Sequence, residues 1–156
     1  MTYRTLVGLS FLGILLLVLG FLFLPWYIAP IGAGNNLLRG PAGWTLATVP
    51  AIATPDLLGW VFTLPFWILA LLILFELGSA IFALQRDRSV QIGRVYKVSG
   101  QIGLALAAVI LILTLIGLVP GLGWRGVLLT FSGIGFWCCL LGFVIIRQAG
   151  VSLQRR

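Results

Sequence analysis

The sequence contains no histidine and only two cysteines in 156 residues. Histidine is the commonest ligand of protein metal sites and the usual general base near neutral pH, so its absence removes much catalytic chemistry. The cysteines, Cys138 and Cys139, are adjacent in an apolar run and form neither a CxxC redox pair nor a zinc-ligand spacing. We read them as small packing residues. We expect no catalytic, metal-binding or cofactor-binding residue, and therefore no enzyme.

Charge is also scarce, because charged residues make up 8% of the chain and only three of them are acidic. The net charge of +7 would suggest nucleic-acid binding in a soluble protein. Here the basic residues stand at the ends of apolar segments, so membrane topology explains them better. We expect no nucleic-acid partner, and acidic lipid head groups remain as an additional anionic partner.

Apolar residues are abundant, at 61% of the chain, and the mean hydropathy is +1.17. These values predict that a lipid bilayer covers most side chains of a single transmembrane domain, residues 1–156. Four apolar segments are predicted to be transmembrane helices: residues 6–24, 57–84, 98–119 and 127–146. The first would span about 28 Å as a helix and exceeds the apolar stretch of a secretory signal, so we interpret it as a retained helix.

The distribution of basic residues predicts how the four helices are oriented. Cytoplasmic loops retain arginine and lysine, whereas translocated loops are poor in them. One side would carry eight basic residues: Arg4, Arg86, Arg88, Arg94, Lys97, Arg147, Arg155 and Arg156. The other would carry only Arg39 and Arg125. We therefore predict an antiparallel four-helix bundle in a bacterial cytoplasmic membrane, with both termini and the loop 85–97 in the cytoplasm.

The outer loop, residues 25–56, is rich in proline and glycine, so neither a long helix nor a central strand is expected in it. Its apolar side chains suggest that it lies either on the membrane surface or against another protein. Four aromatic residues fall near the predicted outer boundaries and are interpreted as interfacial anchors: Trp26, Tyr27, Trp60 and Trp124. Tyr96 falls near an inner boundary. The alternative for these aromatics is a groove for a pigment, quinone or lipid tail.

Glu76 is the one acidic residue inside an apolar segment, about 13 Å from the predicted end of its helix. An ionised carboxylate at that depth is costly, so Glu76 is expected to be protonated, hydrogen-bonded or paired. Two hypotheses remain open. Glu76 carries a proton or substrate cation, or bonds a group from another subunit or cofactor; otherwise it is a neutral acid that donates to a backbone carbonyl or to Ser79. Matched depths would place Ala107, Ala108, Trp137 and Cys138 near its level.

Small residues recur every four positions along the third helix, at Ser99, Gly103 and Ala107. This spacing lets another helix approach closely. The partner helix is either part of the same bundle or belongs to another subunit.

The stretch Phe23-Leu24-Pro25-Trp26-Tyr27, followed by a loop with Gly43-Trp44, resembles small four-helix bacterial membrane proteins of uncharacterised function. The resemblance covers the topology and about twenty residues of motif, and it implies no active site. Small multidrug transporters differ because their essential glutamate lies in the first helix. Claudin-like proteins and quinone-coupled disulfide enzymes differ because they need cysteines in the outer loop.

These observations predict an accessory, non-catalytic subunit of a larger bacterial membrane complex. A respiratory or photosynthetic electron-transfer complex is one such assembly, with the chain at its periphery contacting lipids or cofactor tails. The expected partners are the lipid bilayer and larger membrane-protein subunits. The first alternative is a small oligomeric transporter or channel that uses Glu76, and the second is a stand-alone membrane-organising or assembly factor.

Overall fold

The computed structural model describes residues 3–26, 42–53, 57–85, 89–115 and 133–155. Within these ranges the fold is all-helical, and the one extended pairing is an isolated bridge between Pro25 and Ala42. The helices are α1 (Tyr3–Leu22), α2 (Gly43–Ala53), α3 (Leu57–Gln85), α4 (Ser89–Leu115) and α5 (Ile134–Gln154). All except α2 are long and apolar enough to cross a membrane. The prediction of helical segments able to span a membrane, four in number, is confirmed for the described residues.

The bounds of α1 and α3 agree closely with the predicted segments 6–24 and 57–84, whereas α4 and α5 extend beyond theirs. Residues 89–97, predicted to be loop, form the first turns of α4, and α5 continues past 146 to Gln154. The other ends of these predictions, 116–119 and 127–132, lie outside the described residues. Hydropathy marks the lipid-covered part of a helix, but packing extends the helix further. Gly93 and Gly150 show this, since a Cβ on Gly150 would lie 2.8 Å from the Gly93 oxygen.

An 11-residue helix, α2, occupies part of the segment predicted to be an irregular outer loop. It packs against α1 and α3, with Leu46 and Ala47 buried and Trp44 half exposed. The prolines and glycines of the whole segment argued against any helix there, whereas the stretch that forms α2 contains only one of each, Gly43 and Pro50. Residues 27–41 and 54–56 lie outside the described part.

Helix α5 makes the closest approaches in the bundle, because glycines allow its backbone to meet α1 and α4. A Cβ on Gly142 would lie 2.7 Å from the Gly13 oxygen, and one on Gly135 would lie 2.7 Å from the Gly20 oxygen. On the other side of α5, Phe143 fills the space above Gly103 of α4. These contacts leave no room for side chains, so the glycines set the spacing of the three helices.

Trp26 joins three helices just after α1 ends. Its indole N–H donates to the Gly20 oxygen at 2.9 Å, and its ring packs on Phe66 of α3 and Phe136 of α5 at centroid distances of 5.3 and 5.6 Å. The preceding residue, Pro25, accepts a hydrogen bond from the Gly135 N–H at 2.9 Å, which satisfies a backbone donor in the first turn of α5. The turn after α1 therefore fixes where α5 begins.

Candidate functional site

The candidate site is built around Glu76, which lies in the membrane-spanning part of α3 and is fully buried. Most side chains of α3 are apolar, and the helix packs against α1 and α4. Charged groups inside a membrane usually mark a function or have a bonded partner. The groups around this carboxyl therefore indicate whether Glu76 is a functional residue or a structural one with a bonded partner.

Four polar side chains from three helices lie beside Glu76 or beside its neighbour Tyr96, and we call the five residues together the polar cluster: Ser10 of α1, Glu76 and Ser79 of α3, and Tyr96 and Ser99 of α4. The side chains of Ser99 and Ser79 lie near the Glu76 carboxyl, and those of Ser10, Glu76 and Ser79 lie near Tyr96. Ser10, Tyr96 and Ser99 are buried like Glu76. Ser79 is half-buried, so the protein encloses the cluster except at this residue.

The serines of the polar cluster direct their hydroxyls to their own helices. Ser10 donates to the Val7 oxygen at 2.7 Å, Ser79 to the Glu76 backbone oxygen at 2.8 Å, and Ser99 to the Val95 oxygen at 2.8 Å. Such bonds to the preceding helical turn are the usual way a serine is satisfied within an apolar helix. Each hydroxyl proton is thereby engaged, although the serine oxygens retain capacity to accept.

The carboxyl oxygens of Glu76 and the hydroxyl of Tyr96 have no hydrogen-bond partner among the described residues. Glu76 is also the one acid in those residues, and no described arginine or lysine bonds to it. A buried polar group without a partner costs about 1–3 kcal/mol, and more when charged. The cluster is thus polar and mostly buried, and the Glu76 carboxyl and Tyr96 hydroxyl in it lack hydrogen bonds to described residues.

This arrangement favours a neutral carboxylic acid over a carboxylate, because the described structure supplies no positive charge to offset desolvation. A neutral acid has one proton to donate, and the Tyr96 oxygen and the serine oxygens are nearby acceptors. The cluster is chemically able to hold a proton or to bond one polar group brought to it. The groups within reach of Glu76 include no nucleophile activated by a base.

The sequence located Glu76 correctly in a span but did not identify its neighbours. Matched depths predict Ala107, Ala108, Trp137 and Cys138 at the level of Glu76. The polar groups of α4 that lie near it are instead Tyr96 and Ser99, with Ser10 of α1 beside Tyr96. The reason is that α4 begins at Ser89 rather than at 98, which places Tyr96 and Ser99 deeper than the apolar segment implied. The expected donation from the Glu76 carboxyl to Ser79 is not seen. Ser79 instead donates to the backbone of Glu76.

The small residues of α4 that were predicted to pack closely, Ser99, Gly103 and Ala107, are all buried. Gly103 lies against the Phe143 ring of α5, and Gly100, one turn earlier, lies against the backbone of Arg147. The close approach at Gly103 is therefore to a helix of the same chain.

The predicted interfacial anchors occupy different environments. Trp26 is 1% exposed and bonds within the bundle, so its ring is not presented to a head-group layer. Trp60 is 56% exposed on α3. Tyr27 and Trp124 lie outside the described residues. The position of Trp26 at the end of an apolar segment does not reveal whether its side chain is buried or exposed.

Among the described residues, no group of three or more histidine, cysteine, aspartate and glutamate side chains is arranged to hold a metal ion. Cys139 is buried, with its thiol 3.6 Å from the Leu17 oxygen, in the contact between α1 and α5. Comparison of the chain with protein-family models, curated proteins and solved structures found no match.

Proposed function

We propose that this chain is a non-catalytic accessory subunit of a larger membrane-protein complex and packs at its periphery. The outward face of α3 carries this proposal. Large apolar side chains alternate along it at spacings of four and three residues, and each is between 46% and 63% exposed: Trp60, Leu64, Trp67, Leu71, Leu74 and Ile81. We call this set the α3 outer face.

The α3 outer face has the spacing by which one helix packs along another. Residues alternating by four and three form a continuous seam of the coiled-coil type. Gly78 falls in the same series, and a Cβ there would meet nothing within 4 Å. A small residue between large side chains of a seam, here between Leu74 and Ile81, lets a second backbone approach. The proposed occupant is a transmembrane helix of a larger subunit.

The arrangement in the membrane is part of the proposal. An antiparallel order is supported by the glycine contacts, because Gly13 opposes Gly142 and Gly20 opposes Gly135. A cytoplasmic location of both termini is supported by the basic residues, which outnumber acids and cluster on one predicted side. A bacterial cytoplasmic membrane and an electron-transfer complex are the proposed setting.

Crosslinking in native membranes tests this function. A photoreactive residue at Leu71, on the α3 outer face, is expected to give one discrete adduct with a larger membrane protein. The matched control is Leu15, which is 53% exposed on α1 and lies outside that face. It is expected to give little or no protein adduct. Equal crosslinking at both positions, or crosslinking of Leu71 only to a second copy of this chain, would contradict the proposal.

The polar cluster favours a second candidate, a small oligomeric transporter or channel that uses Glu76. The supporting observation is that the carboxyl has no hydrogen-bond partner in the described part of the chain, which leaves it able to receive a proton or a cation. Glu76→Gln removes the acid and nearly preserves its size. Unchanged assembly together with unchanged transport of every tested cation would eliminate this candidate. Loss of proton or cation flux at normal assembly would favour it over the accessory subunit.

A further inference from the structure

A groove of about 350 Å³ opens between α3 and α4 on the outside of the bundle. Its walls are apolar side chains of both helices: Leu72, Phe75, Val95, Val98 and Ile102. Arg94 lines it as well, and so does the buried Ser99. From Arg94 to Ile102 the groove follows α4 for about 12 Å at helical rise. It combines a long apolar channel with a cation near one end of a membrane span.

Arg94 is exposed and has no ion pair among the described residues. Glu76 is the one acid described, and its carboxyl oxygens have no hydrogen-bond partner, so it does not neutralise Arg94. An arginine near the end of a transmembrane helix extends its side chain toward the head-group layer while its methylenes stay in apolar surroundings. The guanidinium offers a fork of N–H donors that suits a phosphate.

We infer that this groove binds one anionic phospholipid, with its phosphate on Arg94 and one acyl chain along Leu72, Phe75, Val98 and Ile102. The charge of Arg94 selects an anionic head group, and the apolar walls select a chain. A quinone head would need a further donor, but the Ser99 hydroxyl already donates to the oxygens of Val95 and Tyr96. This inference deepens the lipid contact of the proposed function, and it does not require a partner subunit.

Two other grooves on the described surface differ from the groove at Arg94 in the charge of their lining. One lies between α1 and α3, beside Val18 and Ala70, and the other lies between α1 and α5, beside Leu9 and Val144. Neither has a cationic side chain in its lining. They suit acyl chains of any lipid, whereas the charge of Arg94 lets its groove discriminate between head groups.

Native mass spectrometry of the purified full chain in mild detergent tests the inference. The probes are phosphatidylglycerol and phosphatidylcholine with identical acyl chains. We expect one phosphatidylglycerol to be retained with an affinity about ten-fold above that of phosphatidylcholine, the contribution of a charge-assisted contact. Arg94→Gln is expected to abolish the preference, and Arg94→Lys to keep part of it. The matched control is Arg4→Gln. Arg4 is an exposed arginine of α1 that lies outside the groove, so its replacement should leave the lipid preference unchanged.

A second variant tests the apolar part of the site with its charge intact. Val98→Trp fills the groove at a position that is 47% exposed, so folding should be unaffected and lipid retention should fall several-fold. Equal retention of the two lipids by the native chain would overturn the inference, as would an Arg94→Gln protein that behaves like Arg4→Gln. Inorganic phosphate that competes as well as the lipid would show that no chain is bound. A failed crosslink at Leu71 leaves each of these outcomes unaffected.

Discussion

Among the described residues, Glu76 has the most buried polar atoms without a hydrogen-bond partner. Its two carboxyl oxygens and the Tyr96 hydroxyl are buried without bonded partners in the described structure, while the adjacent serines bond to their own helices. The sequence could reveal that an acid lay in a span, because a charge in an apolar run is visible. It could not reveal the neighbours, since they depend on where α4 begins.

Replacing Glu76 by leucine should stabilise the isolated chain. The substitution removes an unpartnered buried acid and supplies an apolar side chain of similar size, so we expect a gain of about 1–3 kcal/mol in the free energy of unfolding. Denaturant unfolding in detergent, followed by tryptophan fluorescence, measures it. Glu76→Gln serves as control, because its amide is still polar and buried, and it should gain much less. Destabilisation by leucine would show that the carboxyl has a partner in the native state.

Trp26 provides a second test at the residue scale. Trp26→Phe loses the hydrogen bond to the Gly20 oxygen and part of the contact with Phe66 and Phe136, so unfolding should become easier by about 1–3 kcal/mol. The exposed Trp60 gives the matched control. Trp60→Phe should change thermal stability in detergent by less than about 0.5 kcal/mol. Equal effects at the two positions would contradict the buried placement of Trp26.

At the scale of helices, the apolar runs predicted how many spans exist but not their full extent. The fourth segment was predicted to end at 146 because a charged residue follows. The corresponding helix, α5, nevertheless includes Arg147 and Gln148 and continues to Gln154. Gly93 and Gly150 explain the difference, because their contact joins α4 to α5 beyond the apolar limits. The helix α2 was missed because prolines and glycines dominate the segment around it. Contacts between distant parts of the chain are not encoded in local hydropathy.

The glycines between helices should tolerate no side chain. Gly142→Ala places a Cβ 2.7 Å from the Gly13 oxygen, so the backbones of α1 and α5 must separate, at a cost of about 1–3 kcal/mol. Gly8 is the control, because a Cβ there meets nothing within 4 Å. Gly8→Ala should leave stability unchanged or raise it by up to about 1 kcal/mol, since alanine favours the helix. Thermal unfolding in detergent that ranks the two variants in the opposite order would refute the packing described.

At the scale of the whole molecule, the distribution of charge predicts the orientation in the membrane, and the distribution of apolar surface suggests where a partner binds. Basic residues mark one predicted side, and the α3 outer face is the surface that we propose binds a partner helix. Composition alone was sufficient to predict a multi-pass membrane protein, because lipid is the only solvent that suits so apolar a surface. Composition could not predict a partner, since a lipid-facing helix and a subunit-facing helix are both apolar.

Both termini are predicted to lie in the cytoplasm. A reporter that fluoresces only in the cytoplasm should be active when fused after Arg156, and alkaline phosphatase at the same position should be inactive. The reverse pattern would invert the orientation and would move the Arg94 groove to the opposite leaflet.

The central claim is that this chain is a subunit of a larger complex, and extraction from native membranes in mild detergent tests it most directly. On a native gel, the account predicts stoichiometric co-migration with a larger membrane-protein assembly. Gly78→Leu obstructs the α3 outer face at a position where a Cβ meets no described atom within 4 Å, so it should release the protein from that assembly without lowering its own thermal stability. Migration as a homo-oligomer, or only transient association with other proteins, would contradict the claim.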